Sequence, residues 1–404
     1  MVAGWAVVLS ALVYLCMLFA VAHWGDLSGK RLMQGRGRAT IYALALAVYC
    51  TSWTFFGSVG LASRSGLDFL TIYIGPTLVI GCGYALVGRV VRIAKAQNIT
   101  SIADFVAARY GKSERVAALV SLIAVVGTVP YIALQLKAVA ASLGVFLSAA
   151  NDTTLTRSVP ILGDLALIVA LVLAGFAVAF GTRHADATEH QDGLMVAISL
   201  ESVVKLVAFL MVGGYVTFWM FGGFDGIVDM LVARGLDTDF ISLTSGPGSF
   251  LTLILLAACA SLLLPRQFHM AVVENRAIED VRRTAWLFPL YLVLINLFVI
   301  PIALGGLALF RDGTVDRDMT VLALPLLDGA GTIALIAFLG GLSAATAMVI
   351  VDSVAVDIGG PDRLQALKVP IGVEVPNTAV AEGAVCAPRE RHDAHPAVAC
   401  VDAV

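Results

Sequence analysis

The stretch YCTSWTFFGSVG, Tyr49 to Gly60, places a thiol, four serine or threonine hydroxyls and two glycines inside an otherwise apolar run. Within a membrane every backbone polar group must be paired internally, so Gly57 and Gly60 are tolerated best where this segment faces protein or a water-filled cavity. One interpretation is a discontinuous helix whose freed carbonyls bind a cation near the middle of the membrane, as in secondary transporters. The other is ordinary close packing of small residues.

The overall composition places the chain in a membrane. Of 404 residues, 59% are hydrophobic and only 14% are charged, and the mean hydropathy is +0.92, whereas soluble domains have about 25% charged residues. The net charge of -3 offers no basic surplus to neutralise phosphates, so nucleic acid is not expected as a partner.

Nine apolar runs are long enough to cross a bilayer, which takes roughly 17–25 residues. The first has no basic segment before it and is predicted to remain as a membrane span instead of being removed as a signal peptide. The runs are 3–24, 40–60, 67–88, 116–147, 161–181, 194–221, 248–265, 284–310 and 332–355.

Lys and Arg are distributed unevenly between alternate loops, 15 in one set and 5 in the other. The positive-inside rule makes the richer set cytoplasmic, so the N-terminus is predicted outside and the C-terminal tail inside. Two cytoplasmic segments are predicted to be amphipathic: 264–283, and 99–111, where Ser101 is a candidate helix cap and Tyr110 lies on the predicted apolar face.

Residues 1–356 form the predicted transmembrane domain. Residues 357–404 contain five prolines and no aromatic residue, which is typical of a disordered tail. The tail's His392, His395 and Cys400 match no metal-ligand spacing, and chance composition is favoured for them.

No catalytic motif is present, since the chain has no Walker loop, HExxH, GxSxG or kinase signature. No catalytic residue is therefore predicted. The cysteines show no CxxC spacing, and small-residue packing in the apolar interior is favoured over disulfides or zinc. Those in apolar runs are Cys16, Cys50, Cys82 and Cys259.

Charged residues inside predicted spans are costly and therefore informative. Lys205 follows Glu201 by four residues, a spacing that permits an intrahelical ion pair without any transport role. Lys137 in span four is explained equally well by snorkelling to the interface and by a solute contact.

Span nine contains GGLSAATAMVIV, Gly340 to Val351, in which Ser343 and Thr346 share a helical face. Their hydroxyls could bind a monovalent cation together with freed carbonyls of span two, or could bond back to their own helix. The small residues around them predict a close approach of another helix.

Four strings resemble the solute:sodium symporter family: YCTSWTFFGSVG, NITSIADFVAARYG, the segment 264–298 beginning LPRQFHMAVVENRAIEDVRR, and GGLSAATAMVIV. They are most similar to the symporter-like N-terminal module of bacterial sensor histidine kinases, over residues 1–356. The resemblance implies an all-α integral membrane protein with a leucine-transporter-like core of two inverted five-helix repeats behind one extra helix. Span two then corresponds to the first, broken core helix and span nine to the eighth.

The resemblance also implies a sodium ion, as coupling ion and sole cofactor, between these two helices. Its expected ligands are Ala47, Cys50, Gly340, Ser343 and Thr346. Ser343 fits the first hydroxyl position of the family, but Ala344 occupies the second, for which Thr346 is the nearest, offset substitute. Tyr49 stands where sodium/proline symporters have an acidic residue. Sodium and protons both remain open as coupling ions.

Solute contacts are expected, on the same resemblance, from Trp53, Phe56, Tyr131 and Gln135. The implied function is transport of an amino acid or other small organic solute across the bacterial inner membrane by alternating access. The alternative is a sensory input module of a two-component histidine kinase, which binds solute without moving it. Relatives continue for further helices, so the second repeat is expected to be incomplete, and a truncated or frame-shifted product is a further hypothesis.

Overall fold

The computed structural model describes residues 4–35, 37–150, 171–172, 174–175, 192–235, 243–310 and 315–358. All regular elements in these ranges are helical. The α-helices are α1 (Gly4–Gln34), α2 (Arg38–Leu46), α3 (Ser58–Ser65), α4 (Thr71–Pro76), α5 (Tyr84–Ala96), α6 (Ile102–Arg109), α7 (Glu114–Ala150), α8 (Asp192–Gly214), α9 (Phe224–Ala233), α10 (Pro247–Leu263), α11 (Pro265–Phe268), α12 (Ile278–Asn296), α13 (Val299–Leu309), α14 (Thr320–Leu327) and α15 (Gly331–Ile358).

Five of the nine predicted spans are confirmed as continuous helices long and apolar enough to cross a membrane. Three more correspond to helix pairs bent at a short break, each of which counts as one span when the pair is taken together. The continuous spans are Gly4–Ser28, Glu114–Phe146, Asp192–Met220, Ile278–Leu309 and Gly331–Ala355, and the bent pairs are Arg38–Tyr49 with Trp53–Ser65 (71°), Leu67–Cys82 with Tyr84–Ala96 (70°), and Pro247–Leu263 with Pro265–Val273 (56°). The predicted fifth span, 161–181, lies almost entirely outside the described residues.

Small residues bring the helices together. A side chain built on Gly25 of α1 would meet the Cα of Gly193 in α8 at 2.8 Å, and one on Gly75 of α4 would meet the backbone nitrogen of Ala258 in α10 at 2.5 Å. In lipid, where no hydrophobic force drives helix association, such close backbone contacts supply the dispersion energy that holds helices together.

The second span breaks within the polar stretch that begins at Tyr49. Ala47–Tyr49 tightens into a 3₁₀ turn, Cys50 is extended (φ -80°, ψ 96°), and Trp53–Gly57 restarts as a π-helical segment. Because an extended residue cannot continue the i to i-4 ladder, carbonyls before the break are freed from helical bonding. The predicted discontinuous helix is confirmed.

The two segments predicted to be amphipathic differ from expectation in detail. Ser101 caps α6, its hydroxyl accepting from the amide of Asp104 at 3.1 Å, but the buried face is that of Ala103 and Ala107. Tyr110 follows the helix end and is 65% exposed. The run 266–272 is buried throughout, because the bend after Leu264 turns it into the protein.

Of the described cysteines, only Cys50 is buried; Cys16, Cys82 and Cys259 are exposed on the protein surface, and all four are free thiols. Interior packing was therefore the wrong prediction for three of them. The predicted tail lies outside the described residues from position 359 onward, together with His392, His395 and Cys400.

Candidate cation and solute site

The polar groups at the break of span two are paired with neighbouring helices. Both the backbone amide of Ser52 (3.0 Å) and its hydroxyl (2.6 Å) donate to Oε1 of Gln135 on α7. The hydroxyl of Thr54 donates to the carbonyl of Thr51 at 2.6 Å. Gln135 thus caps the restarted half of the broken helix from 83 residues away.

Two more side chains of this stretch bond to the third span. The hydroxyls of Ser58 and Tyr73 are hydrogen-bonded at 2.6 Å, and Tyr49 donates to the carbonyl of Ile72 at 2.7 Å. The hydroxyl of Tyr49 is therefore directed to a backbone oxygen.

The carbonyls of Ala47 and Cys50, predicted as sodium ligands, converge instead on a cation of the protein itself. The ammonium of Lys205 donates to the oxygen of Ala47 at 2.7 Å and to that of Cys50 at 2.8 Å. Lys205 is completely buried. These lengths fall in the range of charge-assisted hydrogen bonds, about 2.7–2.9 Å.

The hydroxyls predicted in span nine point to Glu201, one turn before Lys205 on α8. Ser343 donates to the Glu201 carbonyl at 2.9 Å, and Thr346 lies 2.5 Å from Glu201 Oε1. Thr346 is also 3.0 Å from the carbonyl of Leu342, so the bond back to its own helix is available as well. Oε2 of Glu201 is buried and has no hydrogen-bond partner in the described part of the chain.

Helix α8 therefore joins the two predicted halves of the cation site. Lys205 binds span two, Glu201 binds span nine, and no ion pair connects the two side chains to each other among the described residues. The intrahelical ion pair was the wrong interpretation, because each side chain finds a partner on another helix.

Gly340 and Gly341 of α15 make this approach possible. A side chain on Gly340 would meet Phe55 at 2.8 Å and Ala208 at 2.6 Å, and one on Gly341 would meet the ring of Phe56 at 2.2 Å. The predicted close approach is confirmed. A cation-binding role for the Gly340 carbonyl stays a prediction.

A cavity of about 320 Å³ opens beside the break. This lies at the lower end of typical ligand pockets, roughly 300–1,000 Å³. Of the four predicted solute contacts, Trp53 and Tyr131 line it, whereas Phe56 is in the core and Gln135 caps the broken helix. The lining residues are Tyr49, Thr51, Trp53, Thr54, Ile72, Tyr131, Leu134, Leu253, Leu256, Ala257, Ala260 and Leu264.

Arg266 lies behind one wall of the cavity and was missed by sequence reasoning. Its guanidinium sits 4.5 Å from the centre of the Tyr131 ring and 3.2 Å from Oδ2 of Asp352. Arg266 and Asp352 are 2% and 1% exposed. The signal was available in the sequence, since Arg266 follows an apolar span directly and Asp352 ends another.

The fold and site together define a multi-pass, all-α membrane protein with a broken helix at a buried polar centre. No family model matches the chain. Over 302 residues, 72% of its length, the chain is 26% identical to the uncharacterized symporter YhjB of Bacillus subtilis (strain 168). It spans 56% of the length of that relative.

Proposed function

We propose that this chain is a symporter-like membrane module that binds a small organic solute, such as an amino acid, beside the break of span two. The observation that carries the proposal is the cavity at that break, with Trp53 and Tyr131 in its wall. Similarity to a protein described as a symporter supports the same function.

The lining suits a small solute with an apolar part. Its aromatic rings and leucines can cover an alkyl or aryl group, and the hydroxyls of Thr51 and Thr54 add polar contacts. No charged side chain lines the cavity within the described residues, so a charged group of the solute would rely on hydroxyls and backbone dipoles at the break.

Movement of the solute is proposed to follow alternating access within an inverted-repeat core. The three bent spans provide the chain breaks at which helix halves can tilt. Span two carries the cavity at its break, so tilting of its halves would change access to the solute directly.

Transport is tested by uptake of labelled amino acids into proteoliposomes. Trp53→Ala and Tyr131→Ala should each lower uptake by about tenfold or more, the effect of losing roughly 1.4 kcal/mol of binding. Trp219→Ala and Tyr110→Ala are matched controls, because these side chains are 79% and 65% exposed and lie outside the cavity. Equal uptake by all four variants would contradict the proposed cavity.

The sensory alternative predicts a different result from the same proteins. Solute binding measured by calorimetry, without uptake, would favour an input module that signals to a histidine kinase. The absence of both binding and uptake across the amino acids would count against both functions.

We also propose a bacterial inner-membrane location with the N-terminus outside. Arg64 and Lys112 are exposed at opposite ends of the predicted topology. A membrane-impermeant maleimide should label Arg64→Cys but not Lys112→Cys in intact spheroplasts, in a background lacking the native cysteines. The reverse labelling would invert the orientation.

A further inference from the structure

We infer that the ammonium of Lys205 is a built-in replacement for a coupling sodium ion, so that this module binds its solute without sodium. Only the part that concerns the solute rests on the proposed function. The absence of a sodium site can be measured without any solute. Lys205 thus occupies the position at which the resemblance implies a sodium ion.

The two oxygen ligands expected for sodium in span two are occupied by Lys205. The carbonyls of Ala47 and Cys50, at the 3₁₀ turn and the extended residue of the break, are the two ligands expected from span two, and that of Ala47 also accepts from the Cys50 amide at 3.0 Å. Both accept hydrogen bonds from Lys205. An ammonium bound to these oxygens leaves them unavailable at the short distance a dehydrated metal cation would need.

The buried charge of Lys205 also opposes the binding of a sodium ion. Lys205 is completely buried, so its charge is poorly screened and repels a second cation placed against the same carbonyls. Arg266 is close enough to add to this repulsion. The nearby carboxyl group is that of Glu201, one helical turn before Lys205 on α8.

The hydroxyls expected as sodium ligands in span nine are occupied as well. Ser343 and Thr346, the expected hydroxyl ligands, are engaged with Glu201. Helix α8 thus connects spans two and nine through two side chains, the connection that a shared sodium ion would otherwise provide. A tethered cation cannot leave, so this connection is permanent and independent of sodium concentration.

The test compares sodium with choline at equal ionic strength, by thermal unfolding of the purified full chain in detergent. Wild-type protein should unfold at the same temperature in both salts. Lys205→Ala vacates the carbonyls and should gain a saturable rise of several degrees in sodium chloride, because an ion that binds only the folded state stabilises it.

Two controls complete the design. Lys205→Met fills the vacated space without a charge and should show no sodium response, and Lys137→Ala removes an exposed lysine and should behave like wild type. A folded Lys205→Ala that unfolds at the same temperature in both salts would overturn the inference.

Because Lys205→Ala could fail to fold, the wild-type chain supplies an independent measurement. Equilibrium binding of radioactive sodium should show no site in wild type. Saturable binding that Ser343→Ala abolishes would show a sodium site beside the lysine and would refute the replacement. Neither measurement involves a solute, so failure of the proposed transport would be seen separately.

Discussion

A buried cation is bound beside the break of two of the bent spans, but the two cations are held differently. At the break of span two, Lys205 is bound by backbone carbonyls. Just after the break of span seven, Arg266 is bound by the carboxylate of Asp352 and the ring of Tyr131. In the first arrangement the ligands of the cation are backbone carbonyls, whereas in the second they are side chains that a single substitution can remove.

The largest effect is expected at the side-chain arrangement. Arg266→Ala leaves Asp352 buried and uncompensated, which should cost about 3–5 kcal/mol of unfolding free energy, measured by denaturation in mixed micelles. Asp352→Asn in the same background should recover part of the loss. Arg92→Ala, at an exposed position, should change stability by less than about 0.5 kcal/mol. An equally stable Arg266→Ala would mean that the pair contributes nothing.

A smaller effect is expected at the backbone arrangement. Lys205→Met leaves the Ala47 and Cys50 carbonyls without the ammonium, which should lower the free energy of unfolding by about 1–3 kcal/mol. The loss is limited because the Ala47 carbonyl also accepts a hydrogen bond from the Cys50 amide at 3.0 Å. The same denaturation assay measures it. If Lys205→Met lowered the free energy of unfolding more than Arg266→Ala does, the carbonyl-bound cation would contribute more stability than the carboxylate-bound one, contrary to this prediction.

The cap of the broken helix should contribute less again. Gln135→Ala removes both bonds to Ser52, and buried hydrogen bonds in membrane proteins average about 0.6 kcal/mol each with a maximum near 1.7. A loss of about 1–2 kcal/mol is expected. Gln97→Ala, an exposed position, is the control, and indistinguishable stabilities of the two variants would argue against a cap.

The smallest effect belongs to the Ser52 hydroxyl alone. Ser52→Ala removes one bond to Gln135 and keeps the amide bond, so a loss of about 0.6 kcal/mol is expected. Ser353→Ala, whose hydroxyl bonds only to its own helix at 2.7 Å, should change less. A loss for Ser52→Ala as large as that for Gln135→Ala would show that the amide bond contributes nothing.

The sequence predicted the spans because runs of apolar residues must cross lipid as helices. The hydroxyls and glycines of span two, such as Thr51, Ser52 and Gly57, fitted either an interrupted helix or ordinary close packing, and the broken helix was expected from the family resemblance. The close packing at Gly340 followed from residue size alone. Local sequence was therefore sufficient for the spans but not for the break.

The hydrogen-bond partners of the polar groups at the break could not be predicted from local sequence. Lys205 lies 155 residues beyond Cys50 and Gln135 lies 83 beyond Ser52, and spacing along one helix suggested only the nearby Glu201 as a partner for Lys205. Phe56 was expected at the solute site from the family resemblance, but its ring packs on Gly341. Adjacent residues on a helix face different directions, and only packing decides which direction is a cavity.

The sequence by itself determined that this protein is a bundle of membrane-crossing helices, because lipid imposes that outcome on any chain with such apolar runs. Only the tertiary structure decided that the carbonyls at the interruption bind an ammonium. That choice depends on which helix lies against the break, and α8 presents Lys205 there because small residues let it pack between spans two and nine.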